Sequence, residues 1–152
     1  MGMTRHALLA GLAAFSLFGC FNVVDGGPEV SETRTVEGFT RVRIDDGIPA
    51  TFVPGAGASV AISTQQKVLD NLETRVKDGQ LIVQLKPGIQ VNSFAWTEIV
   101  ITGEGVTALE ATGGSKLTAA NLDVAPLRVT ASGGSQVTVS GKSADARLSA
   151  SG

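Results

Sequence analysis

The stretch Thr112-Gly113-Gly114-Ser115-Lys116-Leu117-Thr118-Ala119 returns about twenty residues later as Ser132-Gly133-Gly134-Ser135-Gln136-Val137-Thr138-Val139, and Ser151-Gly152 opens another copy. Self-similarity at this period constrains the fold more than any other feature of the chain. It marks a solenoid, in which each repeat is one coil that buries its apolar side only by stacking on the next. Alternation within the repeats agrees. Leu127, Val129 and Ala131 point one way, and Arg128, Thr130 and Ser132 the other. After the next Gly-Gly pair, Val137 and Val139 face in, while Gln136, Thr138 and Ser140 face out. This is the period-two pattern of half-buried strands. Gly-Gly supplies the positive φ that corners require. The expected fold is therefore all-β, a parallel β-solenoid with coils of about 20 residues. In it Ser115 stacks on Ser135 and Thr118 on Thr138.

Ahead of the repeats, short strands follow one another. Val42 and Ile44 alternate with Arg41 and Arg43, and Asp46-Gly47 reads as a turn. Pro49 is tolerated only at the start or edge of the strand after it. Gln65 to Asn71 fits one helical turn. Asp78-Gly79 lies between two strand-like runs and signals a tight antiparallel hairpin. The front half therefore mixes antiparallel pairing into the solenoid.

Residues 1–19 read as a secretory signal. Arg5 and His6 give a positive start, and the apolar run from Ala7 to Phe18 is too short to span a bilayer as a helix. It ends in Leu17-Phe18-Gly19-Cys20, which resembles the bacterial lipobox. Cleavage is expected between Gly19 and Cys20, with Cys20 becoming the lipidated first residue of the mature protein. Phe18 departs from the pattern, since a smaller residue is usual there. Cys20 is the only Cys in the chain, so it cannot form an internal disulfide, and acylation accounts for it. Phe21, rather than Asp, follows it, so retention in the inner membrane is not signalled. Residues 20–37, with Asp25-Gly26-Gly27-Pro28 and little periodicity, read as the lipidated Cys and a flexible tether. The domain proper is expected over 38–152.

Composition removes several classes of function. The formal charge is −2 and no basic run occurs, which argues against nucleic acid. His6 is the only His and falls within the expected signal. A mature chain without His or a free thiol lacks most zinc, copper and haem ligands and every Ser-His or Cys-His arrangement. Asp45-Asp46 is the one adjacent acidic pair singled out, and strand neighbours point to opposite faces, so a turn is the better reading. Asp123 and Asp145 fall at matching places in successive coils, but no Asp-x-Asp run accompanies them for calcium. No catalytic residue, metal or cofactor is expected.

Three features in order carry a family resemblance. They are Gly38-Phe39-Thr40-Arg41-Val42 at the domain start, the hairpin Val76-Lys77-Asp78-Gly79-Gln80-Leu81-Ile82-Val83, and the recurring Gly-Gly-Ser corners. Together they resemble the putative autotransporter adhesin head GIN domain family, over roughly residues 38 to 152. The resemblance implies a right-handed parallel β-helix with some antiparallel strands at its N-terminal end, in a secreted or lipid-anchored bacterial protein. Family domains continue through more coils, so the C-terminal coil is expected to be incomplete.

The expected function is that of a non-enzymatic, exported, lipid-anchored protein of the cell envelope, at the outer membrane, that acts by surface contact such as adhesion. Its partners would be the membrane, through the anchor, and a surface glycan or envelope protein. Candidate contact residues are Trp96, with Phe94 in an amide-rich loop, and the Thr118, Thr138, Ser115 and Ser135 ladder. Trp96 either stacks on a sugar or covers the core, and the average burial of large aromatics favours the cover. The alternatives are a carbohydrate-binding or polysaccharide-active β-helix protein, and a structural or sensor envelope protein joined to partners by strand edges.

Overall fold

The computed structural model describes residues 22–152. The expected signal peptide (residues 1–19), its cleavage point at Gly19 and the lipidated Cys20 lie outside the described residues. The chain runs β1 (Asn22–Val24), β2 (Glu29–Thr35), β3 (Arg41–Ile44), β4 (Pro49–Pro54), β5 (Ser59–Gln65), α1 (Gln66–Leu69), β6 (Leu72–Lys77), β7 (Gln80–Leu85), β8 (Ile89–Val91), β9 (Glu98–Gly103), β10 (Ala108–Ala111), β11 (Lys116–Asp123), β12 (Leu127–Ser132), β13 (Gln136–Lys142) and β14 (Ala146–Ser151).

These strands form two six-stranded sheets and one small ribbon. Sheet I has the order β13-β11-β4-β9-β5-β2, sheet II the order β14-β12-β10-β3-β7-β6, and β1 pairs with β8. One apolar cluster joins the sheets. Ala50, Phe52, Val60, Ile62, Ile99, Ile101 and Leu117 come from sheet I, and Val42, Ile44, Leu81, Val83, Leu109 and Val129 from sheet II. The alternation read from the sequence explains this placement, because every second side chain of a strand meets the same face.

The expected right-handed parallel β-helix is overturned by the strand order. Coils stacked in sequence would set β10 on the segment just before it. Instead β10 pairs with β3 (Ala108 opposite Arg41) and β11 with β4 (Lys116 opposite Pro49). Residues 55–107 fold between these partners, and β5, β6 and β2 join the sheets antiparallel. Both sheets are mixed, and neither closes on itself, so the result is a pair of open sheets. The physical reason is that β3 and β4 already offer a layer on which the repeats can pair, whereas the intervening strands turn back on themselves at Asp78-Gly79 and elsewhere.

The repeat itself has a clear structural meaning. From β10 onward the chain alternates between the sheets, with β10, β12 and β14 in sheet II and β11 and β13 in sheet I. The crossings from sheet II to sheet I are turns with two successive positive φ values, 62° and 81° at Gly113-Gly114 and 61° and 76° at Gly133-Gly134. Asp46-Gly47, with 62° and 77°, makes the same turn between β3 and β4. Asp46 tolerates the left-handed region, and its carboxylate accepts a hydrogen bond from the Leu85 N–H at 2.9 Å, which holds it there.

The segment expected as a tether also differs. Residues 22–24 and 29–35 are strands, and β2 pairs with β5 along its whole length, from Glu29 opposite Gln65 to Thr35 opposite Ser59. Val30 alone of this strand packs on the apolar cluster, and the strand is held at the sheet edge by its pairing with β5.

Candidate functional site

The corner serines are structural. Ser115 is fully buried, and its hydroxyl accepts the Gly47 N–H at 3.1 Å. The Ser135 hydroxyl accepts the Gly114 N–H at 3.0 Å and the Ser115 N–H at 3.1 Å. Each serine thus satisfies the turn of the layer beneath it; Ser115 is not part of an exposed ligand surface as expected, and Ser135 is half-buried with its hydroxyl committed to the corner. Buried amide donors need such partners, which explains Ser after Gly-Gly. Thr118 and Thr138 do lie side by side on the outer face of sheet I, next to Thr51 of β4.

Trp96 is 68% exposed, in the loop before β9, so it does not cover the core. Phe94 does that, packed against the apolar cluster. The acidic pair is occupied by structural contacts. Asp45 accepts from Arg43 Nε at 3.0 Å and from the Thr112 hydroxyl, and Asp46 accepts from Leu85. The hydrogen bond to Asp45, followed by its charge and that of Glu110, raises the Arg43 guanidinium above its usual range despite partial burial. No group of three or more His, Cys, Asp or Glu suited to a metal occurs among the described residues.

The outer face of sheet II carries a feature that the sequence analysis did not single out. Gln80, Arg41, Ala108, Arg128 and Arg147 stand in register on adjacent strands β7, β3, β10, β12 and β14. Their strand neighbours Leu81, Val42, Leu109, Leu127 and Val129 are buried, so the row faces outward. Strands lie about 4.8 Å apart, which puts Arg128 beside Arg147, and Arg41 about 10 Å from Arg128 across the small Ala108. A groove of about 460 Å³ runs along this row, with Glu110 and Asp145 also lining it. Glu110 stands opposite Arg43 and accepts from Gln80 at 3.4 Å. Arg41 donates to the Asp78 carbonyl. Among the described residues neither Arg128 nor Arg147 forms an ion pair. Like charges on directly neighbouring strands repel, so the row is held by the fold and not by its own charges. The signal was present in the repeat, because Arg128 and Arg147 are outward copies of one position, but no basic run announces them.

The molecule is thus an all-β domain of two open mixed sheets, with glycine corners and an outer face that carries charge. The chain belongs to the family described as putative auto-transporter adhesin, head GIN domain, which matches residues 38–152. No curated protein resembles it closely enough to count as a sequence match. Similar solved structures include a putative lipid binding protein from Parabacteroides distasonis, at 12% identity and TM-score 0.66, covering 84% of this chain and 63% of that one. A putative adhesin from Parabacteroides merdae has 16% identity and TM-score 0.64, with coverage of 84% and 55%. A putative adhesin from Bacteroides fragilis has 12% identity and TM-score 0.61, with coverage of 83% and 77%. The chain spans less than two thirds of the first two, and the likeness to all three is one of fold. Membership of an adhesin-like family goes with an extracellular or envelope-associated protein. No helix among the described residues is long and apolar enough to cross a membrane.

Proposed function

We propose that the protein is a non-enzymatic, exported envelope module, anchored at the outer membrane by lipid on Cys20, that adheres to an acidic surface glycan through the arginine row. The observation that carries the contact surface is the row itself, with Arg41, Arg128 and Arg147 in register around Ala108 in one outward groove. Guanidinium forks match carboxylate and sulfate geometry in two parallel hydrogen bonds, which a row of lysines would not. The groove gives a polymer a path along several strands, and Ala108 leaves room for it. The anchor rests on the lipobox-like Leu17-Phe18-Gly19-Cys20 and on the absence of any other Cys.

Retention on immobilised heparin and hyaluronate, with neutral dextran as the reference, tests the contact surface. The wild-type chain should bind the acidic polymers, and R128Q/R147Q should weaken binding at least about tenfold, since charged hydrogen bonds contribute about 1.5–3 kcal/mol each. Equal retention on dextran, or no change in the double variant, would remove the row from the account.

A further inference from the structure

We infer that the β1–β8 ribbon and the Trp96 loop form the face that lies against the lipid bilayer. This rests on the acylation of Cys20 proposed above and goes beyond it. Strand β1 begins at Asn22, which is held to the body because its N–H donates to the Gly88 carbonyl at 3.0 Å. The pairing continues in register from Asn22 opposite Ile89 to Val24 opposite Val91. From Cys20 to Asn22 the backbone spans at most about 7 Å in any conformation. A lipid on Cys20 therefore holds the ribbon at the membrane surface, and no flexible tether lifts the domain away.

The ribbon and the loop after it carry two of the exposed large apolar side chains among the described residues, Val23 at 52% and Trp96 at 68%. The Trp96 backbone is fixed in place. The Ser93 hydroxyl accepts from the Ala95 N–H at 3.2 Å, the Phe94 carbonyl accepts from the Thr97 N–H at 3.0 Å, and the Thr97 and Thr64 hydroxyls are 2.7 Å apart. Phe94 packs inward beside it. A turn that holds an indole outward costs apolar hydration in water but suits the headgroup layer, where Trp places its ring and N–H at the boundary. The loop adjoins the Asp46-Gly47 corner, where a Cβ on Gly47 would lie 3.7 Å from Phe94, and Ile89, Gln90 and Val91 of the ribbon line one hollow with Asp46 and Gly113. The arginine row lies at the other end of β3, at Arg41, where a glycan can reach it.

Trp96 is the only Trp in the chain, so its fluorescence reports this face without substitution. The full-length protein is purified from membranes, its acylation is verified by intact mass, and it is reconstituted into phosphatidylcholine vesicles with or without brominated acyl chains. Trp96 emission is expected to shift to the blue and to lose intensity with bromines near the headgroups, more than with bromines near the bilayer centre. A ten-residue Gly-Ser insertion between Cys20 and Asn22 should remove most of the quenching. Verified acylation with unchanged emission would overturn the inference and leave the anchor standing. Quenching that survives the insertion in full would overturn the role of the short link. A chain without the acyl mass would remove the anchor and the inference together.

Discussion

Two regions of the molecule solve the same packing problem differently. In residues 38–107, Val42, Ile48, Val60, Leu81 and Ile101 are all 0% exposed, and Phe52 fills the space between the sheets. In the repeats Leu109, Leu117, Leu122, Leu127 and Val129 stay buried, while other inward positions carry smaller or half-buried residues. Ala111 stands opposite Ile44 and Ala119 opposite Phe52, and Val137 and Val139 are half-buried. Cohesion there depends more on polar corner bonds. The Thr112 N–H reaches the Ile44 carbonyl at 2.9 Å, and the Gln136 N–H reaches that of Ser115 at 2.9 Å. Both regions thus rest on burial, with larger side chains in the front region and more regular backbone pairing and corner bonds in the repeats. A regular, less apolar layer also leaves its outer face free to vary, and two of the three row arginines stand there.

The largest effect that would break this contrast is a loss of core volume. Phe52→Ala should destabilise the protein by about 3–5 kcal/mol, as deletion of a buried aromatic does. Leu148→Ala, at the exposed end of the repeats, should stay within about 0.5 kcal/mol. Urea titration of both variants checks the pair, and equal costs would contradict the division.

The corner serines sharpen the contrast within the repeats. Ser115→Ala leaves the Gly47 N–H without its partner in a buried site and should cost about 1–3 kcal/mol. Ser135 is half-buried, so water can replace its hydroxyl, and Ser135→Ala should cost about 1 kcal/mol or less. Thermal unfolding of the two variants under one condition tests the order, and a larger loss for Ser135→Ala would reverse it.

What could be read in the sequence follows the same division. The repeats announced their corners and their inward and outward faces, because Gly-Gly and period-two alternation are local signals. The Asp78-Gly79 hairpin was legible for the same reason, and β6 and β7 pair antiparallel around it. Strand order was not legible. Asp46-Gly47 is a third copy of the Gly113-Gly114 corner, but Asp replaces Gly there and depends on a distant amide, that of Leu85. Without that equivalence nothing local shows that β10 returns to β3 across residues 55–107. The arginine row was hidden likewise, since Arg41 joins Arg128 and Arg147 only through that pairing. The serine ladder was seen, but its direction was misread, because a hydroxyl at a corner looks the same in sequence whether it faces water or a backbone amide.

The central claim, a lipid-anchored module that makes contact outside the cell, is tested most directly by labelled palmitate incorporation into the wild type and Cys20→Ala, followed by protease treatment of intact cells. The account predicts labelling that requires Cys20 and digestion of the domain from outside. Labelling that persists in Cys20→Ala, or a labelled domain fully protected from protease, would contradict it.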